Sequence, residues 1–253
     1  LALQDDQGAQ ISSIFHMAPW FTATRNSGLV GFAPQYKYDL NWGPYDYAGD
    51  DRIYQVTVEM LSDPENHYDF QNWPVSSGAP WVDVDGDGQY NPLPAGSDHP
   101  KFYGDAVAYF VSADNDQSQK DQTNSPISHV ELQTTAFKFN GPNNPDYLNV
   151  VFYRSVLVNN STEMLNDAYF GLFVDPDLDS AIDDLIGVSV DDDMVYTYND
   201  SDSGAVAFGG KNYVNQGIKL IQGPLVDCTP NESVDISLLG TDADDDDITF
   251  FID

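Results

Sequence analysis

The sequence is poor in several things that would otherwise suggest a function. It has a single cysteine, Cys228, which excludes an intrachain disulfide and a CxxC zinc site. It has 9 Lys and Arg against 41 Asp and Glu, and a formal net charge of −32 repels phosphate backbones and anionic bilayers alike. Nucleic acid is therefore excluded as a partner. Direct membrane insertion is not expected either, since no apolar run reaches the roughly 18 residues of a spanning helix. The histidines, His16, His67, His99 and His129, are scattered without HxH or HxxxH spacing, which argues against an imidazole zinc site. Nucleophile elbow, P-loop and GxGxxG are all missing, so the sequence reads as a protein that is not an enzyme. The chain opens at Leu1 without a basic segment or an apolar leader and reads as a mature or excised segment.

What is present points to strands. The chain has 253 residues, 41% of them apolar and 13% aromatic, enough for a sizeable core built from residues that favour pleated surfaces. Apolar alternation at 53–60 predicts a half-buried strand, and Ser62-Asp63-Pro64-Glu65 predicts one short helix ending near Phe70. Strands are predicted at 106–111, 129–139, 149–158 and 168–174. Weaker candidates lie at 185–190, 194–198, 205–209, 217–222, 234–238 and 248–252. The aromatic N-terminal third reads as strands broken by turns. Together these give an all-β fold, a β-sandwich or jelly-roll-like arrangement with long acidic loops and one short helix. Residues 1–229 form the main domain. Residues 230–253 are either its terminal strands or the opening of a cadherin-like repeat, which the acidic run before Ile248 resembles.

Only five of the acids are Glu (Glu59, Glu65, Glu131, Glu163 and Glu232), so the excess is almost entirely Asp. Short carboxylates in turns suit Ca²⁺ coordination, although an acidic surface adapted to salt would also be rich in acids. The sharpest motif is Asp83-Val84-Asp85-Gly86-Asp87-Gly88-Gln89. Carboxylates at relative positions 1, 3 and 5 curl around one cation, the glycine at 6 allows the sharp turn, and the carbonyl of Gln89 at 7 adds a ligand. Pro94 stands where an EF-hand has its bidentate acid, so that ligand must come from elsewhere: Asp98 first, Asp105 second. A second cluster follows the strand that is predicted to end at Val174. There Asp175 and Asp177, with Asp183 or Asp184, are candidates for a second ion. Asp191-Asp192-Asp193 and Asp200/Asp202 read as surface turns. Asn160-Ser161-Thr162 matches a glycosylation sequon, a pattern short enough to arise by chance.

Several stretches recur in an order that is familiar: 51–57, Asn72-Trp73-Pro74, 79–92, Gly104-Asp105, Phe152-Tyr153-Arg154 through Asn159-Asn160-Ser161, 169–184, and Gln222-Gly223-Pro224. Over roughly residues 10–225 the chain resembles an uncharacterised extracellular region of Bacteroidota-type surface proteins exported by type IX secretion. The C-terminal sorting domain of such proteins is not in this sequence. Asp179 stands where a Gly is more usual, and His16–Trp20 departs from the Gly-rich aromatic strand often found near the start. The resemblance implies export to the cell surface or extracellular space, recurrent calcium-binding loops and no enzyme activity.

The functional expectation is a non-enzymatic, calcium-binding structural module of a secreted or cell-surface protein, such as an adhesin or an extracellular filament component. Its partners would be copies of itself, other surface proteins or polysaccharide. One alternative is a carbohydrate-binding module, with Trp42, Tyr45, Tyr47, Trp73 and Trp81 as sugar-facing aromatics. Another is a carboxylate-dependent glycoside hydrolase, for which so many Asp always supply a suitably spaced pair.

Overall fold

The computed structural model describes residues 14–25, 28–32, 53–114, 127–141, 145–177, 184–199, 216–222 and 233–236. They form β1 (Ile14–Arg25), β2 (Gly28–Phe32), β3 (Tyr54–Thr57), β4 (Trp81–Val82), β5 (His99–Pro100), β6 (Ala106–Ala113) and β7 (Val130–Lys138). There follow β8 (Phe152–Asn159), β9 (Asn166–Asp177), β10 (Asp184–Ser189), β11 (Met194–Asn199), β12 (Gln216–Lys219) and β13 (Ser233–Ile236). All their pairings are antiparallel, and the fold is all-β. The expected strands at 205–209 and 248–252 lie outside the described residues.

The spine is a five-stranded sheet in the order β13-β8-β7-β6-β3, in which β6, β7 and β8 form a meander. Two three-stranded sheets, β2-β1-β9 and β10-β11-β12, and the ribbon β4-β5 complete the described structure. The 233–236 segment thus extends the main sheet through its pairing with β8. Strand alternation and register put Tyr54, Val56, Val107, Tyr109, Phe137 and Phe152 on one face of the spine, all buried. Val130, Leu132 and Leu157 occupy the other face and belong to the same core, which also takes in Phe170 and Leu172 of β9 and Ile218 of β12. β6 and β7 are therefore buried nearly throughout; β6 is almost continuously apolar or small, whereas β7 buries Glu131, Thr134 and Thr135 among its apolar residues.

Between β3 and β6 the chain makes a long excursion that carries the acidic motif. The strand expected over 53–60 stops at Thr57, after which Val58–Ser62 and Pro64–Asn66 are 3₁₀ turns. The single expected helix is reduced to one α turn, α1 (Tyr68–Gln71). The cause is local: none of these turns has a side-chain cap, and the Asp63 carboxylate faces the His67 ring at 3.1 Å instead of a free N–H. What holds the segment is packing, since Phe70 is 1% exposed. Asp69 of α1 also accepts the N–H of Gln55 at 2.8 Å, closing the outer edge of β3.

Trp73 pins the excursion to the spine. Its ring meets Tyr54 edge-on at 6.5 Å and Tyr109 at 5.9 Å, and its indole N–H donates to the Pro80 carbonyl at 2.9 Å. Beside it the Tyr109 hydroxyl donates to the Ser77 carbonyl. Gly78 adopts φ +88°, and a Cβ there would fall 2.2 Å from the Gln133 carboxamide, so this backbone lies directly on β7.

β9 also differs from expectation. It continues past Val174 to Asp177, pairing Asp175 with His16 and Asp177 with Ile14. Pro176 fits there because, among the described residues, β9 is the outer strand of its sheet.

Truncating Trp73 to Ala is expected to cost roughly 3–5 kcal/mol in urea unfolding, mainly through loss of buried area, since the Pro80 carbonyl keeps the Lys101 N–H as a donor. The Tyr109 phenol is pushed far above its ordinary pKa by burial, then by the charge of Glu131, with Arg154 opposing. A raised native pKa stabilises the fold fully below the unfolded tyrosine value of about 10 and loses that contribution as pH climbs above it. Absorbance titration should therefore show Tyr109 among the tyrosines that ionise only with alkaline unfolding, and Tyr109→Phe should lower that late amplitude by one phenol.

Candidate metal centre

The acidic loop hangs from the β4-β5 ribbon, in which Trp81 pairs with Pro100 and Val82 with His99. Its first carboxylate organises the turn: Asp83 Oδ1 accepts the Gly86 N–H at 2.7 Å and Oδ2 accepts the Gly88 N–H at 2.9 Å. Asp85 and Asp87 each accept the N–H two residues on, from Asp87 at 3.2 Å and Gln89 at 2.7 Å. Gly86 sits at φ 77°, a left-handed conformation that a side chain would strain.

Asp98 closes the loop from the far end. It is 2% exposed, with Oδ1 accepting the Val84 N–H at 2.9 Å and Oδ2 accepting the Asn91 N–H at 2.8 Å. One carboxylate thus ties the start of the loop to its middle. Asp83, Asp85, Asp87 and Asp98 each present an oxygen, and these four atoms lie within 4.8 Å of one another. Three of these side chains are exposed and the fourth is buried, so the group is open to water on one side and backed by protein on the other. All-oxygen donors of this kind suit a hard divalent cation with flexible coordination, such as Ca²⁺.

The loop is fixed to the core by Tyr90. Its hydroxyl donates to the Phe70 carbonyl at 2.6 Å, and its ring meets Trp81 edge-on at 5.6 Å. Burial and the negative charge of Asp98 raise its pKa well above the usual phenol range. Asn91 was not singled out from the sequence, yet it donates its backbone N–H to Asp98 and its side-chain amide to Asp87 at 3.3 Å. Its only signal is its place four residues after Asp87. The Gln89 carbonyl faces the same Asn91 amide at 3.5 Å.

The remaining candidates lie elsewhere. Asp105, the second choice for closing the loop, sits at the entry to β6, where its carboxylate accepts the Asn140 N–H at 2.8 Å. It serves the end of the β6-β7 hairpin and is not in the cluster. Asp175 and Asp177 belong to β9 and are not in a loop after it, because pairing with β1 extends that strand over them. Asp183 is outside the described residues, and Asp184 opens β10 opposite Asn199. Asp191, Asp192 and Asp193 are exposed in the β10-β11 turn, with Asp192 accepting the Ser189 hydroxyl.

The sugar-facing aromatics fare differently. Trp73 is 3% exposed and offers no ring face, and Trp81 is half-buried against Tyr90. Trp42, Tyr45 and Tyr47 lie outside the described residues. The sequon residue Asn160 donates its side-chain amide to buried Glu131 at 3.1 Å, so the nitrogen that would carry a glycan is engaged.

Replacing Asp98 with Ala leaves the Val84 and Asn91 N–H groups without their acceptor and is expected to cost about 1–3 kcal/mol. Hydrogen exchange should accelerate at these two amides before it does in β6 or β7. Compared with known proteins, the chain matches no family model, no curated protein and no solved structure.

Proposed function

We propose that the chain binds Ca²⁺ in the 83–98 loop and serves as a non-enzymatic structural module of a secreted or cell-surface protein. The observation that carries this reading is the convergence of Asp83, Asp85 and Asp87 with the buried Asp98, a residue remote from them in sequence. Four carboxylates at such separations repel one another, and a divalent cation among them turns that repulsion into attraction. Asp83, Asp85, Asp87 and Asp98 would supply carboxylate oxygens and Gln89 a carbonyl, with solvent completing the shell on the exposed side.

The surroundings suggest a scaffold more than a sensor. No helix flanks the loop among the described residues, and its ends are held by the β4-β5 ribbon and by Tyr90. Binding here would stiffen an existing shape, without the opening of a groove that sensor sites display. Export to the surface, as an adhesin or filament component, is supported by the order of motifs that resembles type IX-secreted surface proteins.

The test is calorimetric titration of chelator-treated protein with Ca²⁺, paired with thermal melts. With ion at about 100 times Kd the linkage stabilisation is about 2.7 kcal/mol, which for a chain of this size raises Tm by roughly 5–10 °C. Mg²⁺ at equal concentration should give a smaller shift, because it demands a tighter octahedral shell. Asp85→Asn with Asp87→Asn should abolish the shift while leaving the chelated protein folded. Identical melts in EDTA and in excess Ca²⁺ would overturn the proposal.

A further inference from the structure

The two outer strands at β3 and β10 are treated differently. The exposed side of β3 is short and closed by the Asp69 carboxylate on the Gln55 N–H. β10 is the outer strand of β10-β11-β12, and among the described residues no strand pairs with its far side. Ile186 and Val188 share one face of it at 71% and 64% exposure, and Val190, in the turn that follows, is 81% exposed. Val195, which pairs with Val188, is 48% exposed, whereas Ile218, which pairs with Val195, packs on the core. In the next row Ile186 pairs with Thr197 and Thr197 with Gln216, and the last two are 5% and 2% exposed. The face that β12 lays on the core therefore continues outward and stays apolar where β10 overhangs it.

An edge strand with no described strand beside it, carrying exposed Ile186 and Val188 and no lysine or proline, is a template for pairing. Charge decides the occupant. The strand runs directly into Asp191, Asp192 and Asp193, all exposed, on a chain of net charge −32. Pairing two copies antiparallel through β10 would set the acidic turn of each beside the Asp184 end of the other, placing like charges opposite one another. We propose that β10 receives, by strand addition, an extended segment of a separate polypeptide that alternates apolar with polar residues and carries lysine or arginine where it passes Asp191–Asp193. The backbone supplies the ladder, Ile186 and Val188 the apolar contact, and the acidic turn the polarity of docking.

The test uses the full chain and a synthetic peptide that alternates valine with threonine and ends in paired lysines. In the free monomer, alternate amides over 184–189 should exchange freely with solvent, and saturating peptide should slow them by about tenfold or more. A scrambled isomer of the same charge should have no such effect, and neither should the alternating peptide on Ile186→Asn/Val188→Asn, whose changes are on the surface and leave the melt unchanged. Three results would each overturn the proposal: strong protection of these amides in the isolated monomer, which would mean that the chain covers its own edge; equal protection by the scrambled isomer, which would reduce the effect to charge attraction; or a concentration-dependent dimer in sedimentation that the double variant abolishes, which would assign the edge to a second copy.

Discussion

The acidic loop depends on one carboxylate that has been taken out of water and given two backbone donors. Asp98 at 2% exposure would be costly if unsatisfied, and the N–H groups of Val84 and Asn91 offset that cost. Because those donors sit at the start and middle of the loop, satisfying the carboxylate and closing the loop are the same event. Asp83 repeats the device on a smaller scale, spanning Gly86 and Gly88. The backbone dipoles thereby hold negative charges close together, an arrangement in which their remaining lone pairs attract a cation.

This local closure is coupled to the whole fold through aromatic side chains with polar tips. Tyr90 reaches Phe70, Trp73 reaches Pro80 and Tyr109 reaches Ser77, each by a hydrogen bond to a backbone carbonyl. The rings of Trp73 and Tyr109 are in contact, and Tyr109 lies in the middle of the spine. The loop is thus joined to the β6-β7-β8 meander by a continuous chain of packed side chains.

How far the sequence could be read depended on how local each signal was. The Asp83-Asp85-Asp87 spacing and its glycines state a turn outright, and the loss of a position-12 acid to Pro94 was enough to direct attention to Asp98. Strand alternation located most of the spine because its period is short. The helix expected after Asp63 is present but broken: it starts as a 3₁₀ turn with Pro64 in its first turn and becomes α only at Tyr68, with the Asp63 side chain on His67 and not on a turn N–H. The end of β9 was misplaced because Asp175-Pro176-Asp177 reads as a turn in isolation, and only its pairing with Ile14–Met17 makes it a strand. The partners of Trp73 were not legible in the same way, since Tyr54 and Tyr109 are brought to it only by the sheet.

The close seating of Gly78 on Gln133 has a consequence for modular use of this loop. The backbone leading into the β4-β5 ribbon rests against the Gln133 side chain of β7, so the segment that carries the loop is seated on the main sheet. Grafted onto another scaffold without that wall, the segment would lose the surface against which Trp73 and Tyr90 set its shape. The shape of the acidic loop is therefore a property of the domain around it, not of the short segment alone.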